Sequence, residues 1–129
     1  MRILAIDHGD ARAGTAVSDP SATIVRPLGV VSPPEPADLA QLAEQTEAEL
    51  IVVGLPVSLD GAEGEQAQAA RGFAAALARL TEIPVETYDE RLTTRMAAAS
   101  TRGGAGAPAD ALAAAHLLES YLRSRETVT

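Results

Sequence analysis

With 129 residues, the chain is long enough to bury one core and too short for two ordinary ones, so a single domain over 1–129 is expected. Hydrophobic residues make up 47% and charged residues 22%, a globular composition, and the absence of cysteine excludes disulfides and thiolate metal sites. A net charge of −8, with ten arginines and no lysine, weighs against a broad basic surface for nucleic acid but leaves room for an acidic site neutralised by divalent metal.

The chain opens on an apolar burst, Met1–Ile6, that Asp7 cuts off. It is too short for a signal-peptide core, and no stretch could span a membrane, so a cytoplasmic location with no membrane partner is expected. Arg2–Asp7 is the first predicted strand. The turn His8-Gly9-Asp10-Ala11-Arg12 leads to a second strand near Gly14–Ser18, which makes an antiparallel hairpin. A third strand is expected over Thr23–Val31, interrupted around Pro27, before the proline-broken loop Ser32–Pro36.

Asp38 is expected to cap a helix through about Ala48, with Leu39, Leu42 and Ala43 on one face. Leu50–Gly54 is a continuous apolar run, as in a strand covered on both faces of a parallel sheet. A loop over Leu55–Gly64 precedes a helix at Glu65–Leu80, in which Phe73 and Leu77 form an apolar i, i+4 pair. Pro84–Tyr88 is the last predicted strand. Thr93 starts a short helix to about Ser100, and a glycine-rich loop, Arg102–Pro108, leads to a final helix from Asp110 to about Arg123. The predicted fold is therefore α/β: a mixed five-stranded sheet, its three-stranded antiparallel part continued by parallel strands, with helices on both faces.

Three acids stand at element ends: Asp7 after the first strand, Glu90 just past the last strand, and Asp110 at the start of the final helix. Singly, such residues are ordinary turn residues or helix caps. Jointly they gain meaning, because parallel crossovers would bring all three to one end of the sheet. Clustered carboxylates repel unless a cation or protons compensate. Hard oxygen ligands suit Mg²⁺ or Mn²⁺, and two such ions about 4 Å apart activate a water and stabilise the leaving oxygen in phosphodiester cleavage. Asp89 and Glu90 would point to opposite faces of a strand, and the sequence does not choose between them.

The stretch Ala5–Asp19, AIDHGDARAGTAVSD, resembles the first motif of the YqgF/RuvX family. Ile51–Pro56 with Asp60, Gly61, Gly64, Arg71 and Phe73 resembles its second, Asp89–Thr94 its third, and Asp110–Ala114 with Leu118, Tyr121 and Leu122 its fourth. That family is provisionally named for nuclease action on pre-16S rRNA or for Holliday junction resolution. The resemblance implies an RNase H-like fold and a nuclease that needs divalent metal, Mg²⁺ or Mn²⁺ in a pair, on Asp7, Glu90 and Asp110. It also selects Glu90 over Asp89. Its substrate would be structured nucleic acid, most simply the 5′ end of a pre-16S rRNA precursor. The alternatives are a branched-DNA junction cut by a homodimer and a non-catalytic RNase H-like module that binds RNA or protein.

Two departures from the family stand out. Ala11-Arg12-Ala13 replaces the usual Lys-Arg-Ile, and the loop before Asp110 keeps only Arg102 as a basic residue, so the grip on a phosphate backbone is thinned. Gly9, Arg12, Arg91 and Arg95 are the candidates for contacting nucleic acid: Gly9 for close backbone approach, the arginines for phosphates. His8 is expected at the surface, and His116 is expected to pack within the final helix rather than to act as a base.

Overall fold

The computed structural model describes residues 1–56, 63–90 and 108–128. Their elements are β1 (Ile3–His8), β2 (Ala13–Ser18), β3 (Val25–Val31), α1 (Pro36–Gln45), β4 (Leu50–Leu55), α2 (Glu65–Leu80), β5 (Val85–Asp89) and α3 (Ala109–Val128). The helix expected over Thr93–Ser100, the glycine-rich loop before Pro108, Arg91 and Arg95 lie outside the described residues.

The strands form one sheet in the order β3-β2-β1-β4-β5. β1 pairs antiparallel with β2, and β2 with β3, while β4 runs parallel to β1 and β5 parallel to β4. This is the mixed sheet expected from the sequence. β1 and β4 are central, which is why their residues read as unbroken apolar runs: both faces are covered. Leu4, Ile6, Ile51 and Val53 face Leu39, Ala40 and Ala43 of α1 and Phe73, Ala74 and Leu77 of α2. Ile3, Ala5, Leu50 and Val52 face the other way, against Leu117, Leu118 and Tyr121 of α3. Where α3 crosses β2, the buried apolar contact is made by alanines, Ala16 against Ala114 and Ala115. Small side chains there let the helix lie close to the sheet.

Further along α3, a polar clasp fixes it to β5. The Tyr88 hydroxyl lies 3.0 Å from Ser120 Oγ, and Tyr121 Oη donates to Glu86 at 2.7 Å while accepting from Arg125 at 2.8 Å. The two tyrosine rings meet edge to face at 5.5 Å.

Several element ends differ from expectation for local reasons. α1 begins at Pro36, with Glu35 at its cap position, so Asp38 is a first-turn residue rather than the cap. Proline at the first helical position lacks only an N–H that no helical carbonyl would use, and an acid in the first turn suits the helix dipole. The same helix stops at Gln45, where the Thr46 hydroxyl donates to the Leu42 carbonyl and Glu47 takes a left-handed φ of 59°. α3 begins one residue earlier than expected, so Asp110 lies inside its first turn, and it runs on to Val128. Pro27 is accommodated inside β3 because that strand is a sheet edge with a register shift opposite Thr15 and Ala16. Among the described residues, no helix is long and apolar enough to cross a membrane.

The alanine contact between α3 and β2 is directly testable. Ala114→Leu should lower unfolding stability by about 1–3 kcal/mol in a urea titration, because the added carbons have no space. The neighbouring Ala113→Leu, on the exposed side of the same helix, should stay within about 0.5 kcal/mol of wild type. Equal effects at both positions would show that the contact is loosely packed.

Candidate active site

Strand alternation decides which side chains meet. Ile3 and Ala5 of β1 face α3, so Asp7 does too. On β5, Tyr88 packs toward α3, so Glu90 follows on that face and Asp89 points away. The β4–β5 register runs to Leu55 opposite Asp89, which leaves Glu90 at the next step, from where its carboxyl lies back over Gly54. The resemblance favoured Glu90, and the pleat gives an independent reason for it.

Asp7 and Glu90 meet in a half-buried site and share a hydrogen bond, which raises Glu90 and lowers Asp7. Burial pushes the Glu90 carboxyl up from 4.5 to about 7, helped by the charge of Asp7, their hydrogen bond and Asp89. Burial also raises Asp7, with the charge of Asp110 adding to it, while the bond to Glu90 works the other way. Two acids thus share a place that favours one proton or a cation between them.

Asp110 is close enough for its charge to reach Asp7, but its carboxylate is turned to Arg12, whose Nε donates to Oδ2 at 2.5 Å. Both side chains are well exposed, 59% for Arg12 and 40% for Asp110, so the pair adds little stability. Among the described residues, no three acidic or histidine side chains are gathered tightly enough to ligate a single ion. Asp7 and Glu90 form a pair; Asp110 stands beside it on the arginine. A cap role for Asp110 does not apply, because it sits inside the first turn rather than before it.

A cavity of about 170 Å³ opens onto the pair, lined by Asp7, His8, Gly9, Asp10, Pro56, Gln66 and Glu90. A larger hollow of about 250 Å³ lies near the start of β1, lined by Arg2, Ser18, Asp19 and Arg26 among others, away from both carboxyls. Gly9 closes the β1–β2 turn, its N–H donating to the Arg12 carbonyl at 2.9 Å, and a side chain there would press on the same oxygen. Turn geometry alone therefore requires this glycine. His8 is not a plain surface residue: its ring lies 4.6 Å from that of Phe73, and burial lowers its pKa. No sequence signal could have found this contact, because the two residues are joined only by packing α2 against the sheet. His116 is 14% exposed and 3.7 Å from Glu119, a packing position as expected.

The Glu90 shift fixes a pH dependence. The folded chain keeps a proton on Glu90 that the unfolded chain releases near its ordinary 4.5. The stability this contributes is complete below about pH 4.5 and is lost as pH rises through about 7. His8, held low by burial, works with the opposite sign, losing stability as pH falls. The melting temperature of metal-free wild type should therefore fall more steeply between about pH 5 and 8 than that of Glu90→Gln. Parallel curves would show that Glu90 is not held above its ordinary value.

Comparison with known proteins places this site in a lineage. A profile of the RuvX family, described as Holliday junction resolvase, matches residues 1–124. A relative from Anaeromyxobacter sp. (strain Fw109-5), provisionally named a pre-16S rRNA nuclease, is 44% identical over 97% of this chain and 98% of its own. A Thermobifida fusca relative of the same provisional name is 47% identical over 79% of this chain and 66% of its own. Among solved structures, Thermus thermophilus RuvC in complex with a Holliday junction substrate superposes with a TM-score of 0.64 at 20% identity, covering 96% of each chain. The fowlpox virus resolvase with its junction DNA gives 0.58 at 10% identity, over 97% of this chain and 99% of that one. The fold is thus the RNase H-like fold of the RuvC resolvases, and the chain belongs to the RuvX family of nucleases.

Proposed function

We propose that this chain is a divalent-metal-dependent nuclease of the cytoplasm that processes the 5′ end of pre-16S rRNA, with Asp7, Glu90 and Asp110 as its metal-binding carboxylates. The observation that carries the reading is the Asp7–Glu90 pair, two hard-oxygen donors that burial pushes toward protonation, with Asp110 adding to the rise at Asp7 and Asp7 to that at Glu90. A divalent cation relieves that repulsion, so the donor set fits Mg²⁺ or Mn²⁺. Bound there, one or two such ions would supply water activation and charge stabilisation at the departing oxygen.

The chain's own residues then divide the work. Asp7 and Glu90 would hold the ion from the ends of β1 and β5, on either side of β4, and Asp110 would add charge from α3. Arg12 spends its Nε donor on Asp110, and a guanidinium has four further N–H donors that can meet a phosphate. Gly9 lines the cavity beside the pair and is the candidate for close backbone approach to the substrate. Arg91 and Arg95, outside the described residues, are the remaining candidates for phosphate contact.

The relatives' provisional name favours the RNA substrate. A second reading, a resolvase of four-way DNA junctions, is favoured by the family description and by the junction bound to RuvC. It needs two active sites and therefore a homodimer, whereas cutting an RNA end needs one site. A non-catalytic module would keep the fold without needing an acidic pair at the sheet end.

One set of assays separates these readings. Purified protein with Mn²⁺ should cleave a single-stranded RNA carrying the pre-16S 5′ leader and leave a synthetic four-way junction intact, and chelator should stop the cleavage. Junction cutting that depends on protein concentration would move the assignment to a dimeric resolvase, and no cleavage of either substrate would leave a binding module. Millimolar Mn²⁺ should also raise the melting temperature of wild type, and Asp7→Asn should abolish the rise. Asp110→Asn should keep near-wild-type stability and lose most cleavage, because a neutral amide is a poor ligand for these ions. An Asn variant with wild-type turnover at limiting metal would remove Asp110 from the site.

A further inference from the structure

We infer that Gly14 and Gly54 are positioning residues of the carboxylate site: the side chains they lack are the spaces through which Asp110 and Glu90 approach Asp7. In the β1–β2 ladder, Asp7 stands opposite Gly14. On its other side, the β1–β4 register runs to Ile6 opposite Val53, which puts Gly54 next to Asp7. Neighbouring residues at one level of a sheet project to the same face. Asp7 is therefore flanked, on the face where α3 lies, by two positions that carry no side chain.

Each gap is filled by one of the other two acids. A Cβ built on Gly54 would lie 2.7 Å from Glu90 Oε2 and 3.0 Å from both its Cδ and Cγ. Real Cβ atoms do not approach that closely, so the Glu90 carboxyl occupies the volume an alanine would need. A Cβ on Gly14 would overlap the main-chain carbonyl of Asp110 and come within 3.0 Å of the Ala111 nitrogen. Backbone conformation does not demand glycine at either place, since neither has the left-handed φ that favours it. By contrast, Gly29, Gly64 and Gly72 have open space where a Cβ would be. Glycine weakens a strand interior, so two of them beside Asp7 need a reason, and the approach of the two acids supplies it.

The two gaps differ in what would have to give. At Gly54 the obstacle is a flexible side chain, so an alanine there turns Glu90 out of the site and leaves the fold intact. At Gly14 the obstacle is main chain, so an alanine lifts the first turn of α3 off β2 and carries Asp110 with it.

The role proposed for both glycines rests on Asp7, Glu90 and Asp110 being metal ligands, and the experiment keeps the two ideas separable. Mn²⁺ affinity is measured from the spectrum of the free aquo ion, with melting temperatures, for wild type, Gly54→Ala, Glu90→Ala and the double variant. Gly54→Ala should melt within about 3 °C of wild type. It should bind Mn²⁺ at least about tenfold more weakly. In the Glu90→Ala background the same substitution should cost no further affinity, a non-additivity that a merely structural glycine would not produce. Gly14→Ala should lose both several degrees of melting temperature and Mn²⁺ affinity. A crystal structure of metal-free Gly54→Ala should show the Glu90 carboxyl turned away from Asp7. Wild-type Mn²⁺ affinity in Gly54→Ala, or an equal loss with and without Glu90, would overturn the inference. If wild type itself ignores Mn²⁺, the metal reading falls, and the metal-free crystal structure still decides: Glu90 unmoved beside the new methyl overturns the role of Gly54, and Glu90 displaced supports it.

Discussion

Asp7 and Glu90 do not come together on their own account. Each is pushed toward its protonated form by burial, and the charge of Asp7 makes Glu90 harder still to ionise. The rest of the sheet has to hold them against that tendency. β1 is fixed on both sides, antiparallel to β2 and parallel to β4, and its residues short of Asp7 are sealed into the two cores. β5 is held in register on β4 up to Asp89, so Glu90 starts one step past the pairing, and its carboxyl reaches back over Gly54 toward Asp7. The hydrophobic faces thus stabilise an arrangement that its own charges oppose, a common trade where a site must bind a cation.

How much of this could be read beforehand follows from the range of the forces involved. Elements set by local periodicity were legible: α2 spans Glu65–Leu80 as expected, and β4 differs by one residue. Ends set by capping were less so, since Pro36 starts α1 ahead of Asp38 and Glu47 turns the chain out early. That Asp7 and an acid just past β5 would come together was legible because acids at strand ends of one sheet converge by topology, while the choice of Glu90 over Asp89 rested on the family resemblance. The partner of Asp110 was not, because Arg12 lies far away in sequence and reaches it only once α3 has packed on β2. Gly14 and Gly54 stand in the sequence simply as the first and last residues of predicted strands, and nothing marks them until the groups facing them are known.

The charge distribution bears on recognition. Arg12 is engaged with Asp110, and Arg71 with Glu63 through two bonds of 2.7 and 2.6 Å. In a chain of net charge −8, arginines committed to internal carboxylates leave fewer to displace counterions from a phosphate backbone. Under the function proposed above, a cation held by Asp7 and Glu90 would then supply more of the attraction for an anionic substrate than the protein surface does.

α3 joins the two ends of this arrangement. Its Asp110 end stands over Gly14, while Ser120 and Tyr121 are bonded to Tyr88 and Glu86 on the strand that leads into Glu90. Taken as a lever arm from the tyrosine clasp, the helix is roughly 15 Å long from Ser120 to Asp110. A rotation of only about 4° about that pivot moves Asp110 by about 1 Å, and misplacements of that size can cost about 100-fold in rate where a group takes part in chemistry. Substitutions at Tyr88, Glu86 or Arg125 would thus act on the sheet end as angular errors, with no contact to the acids themselves.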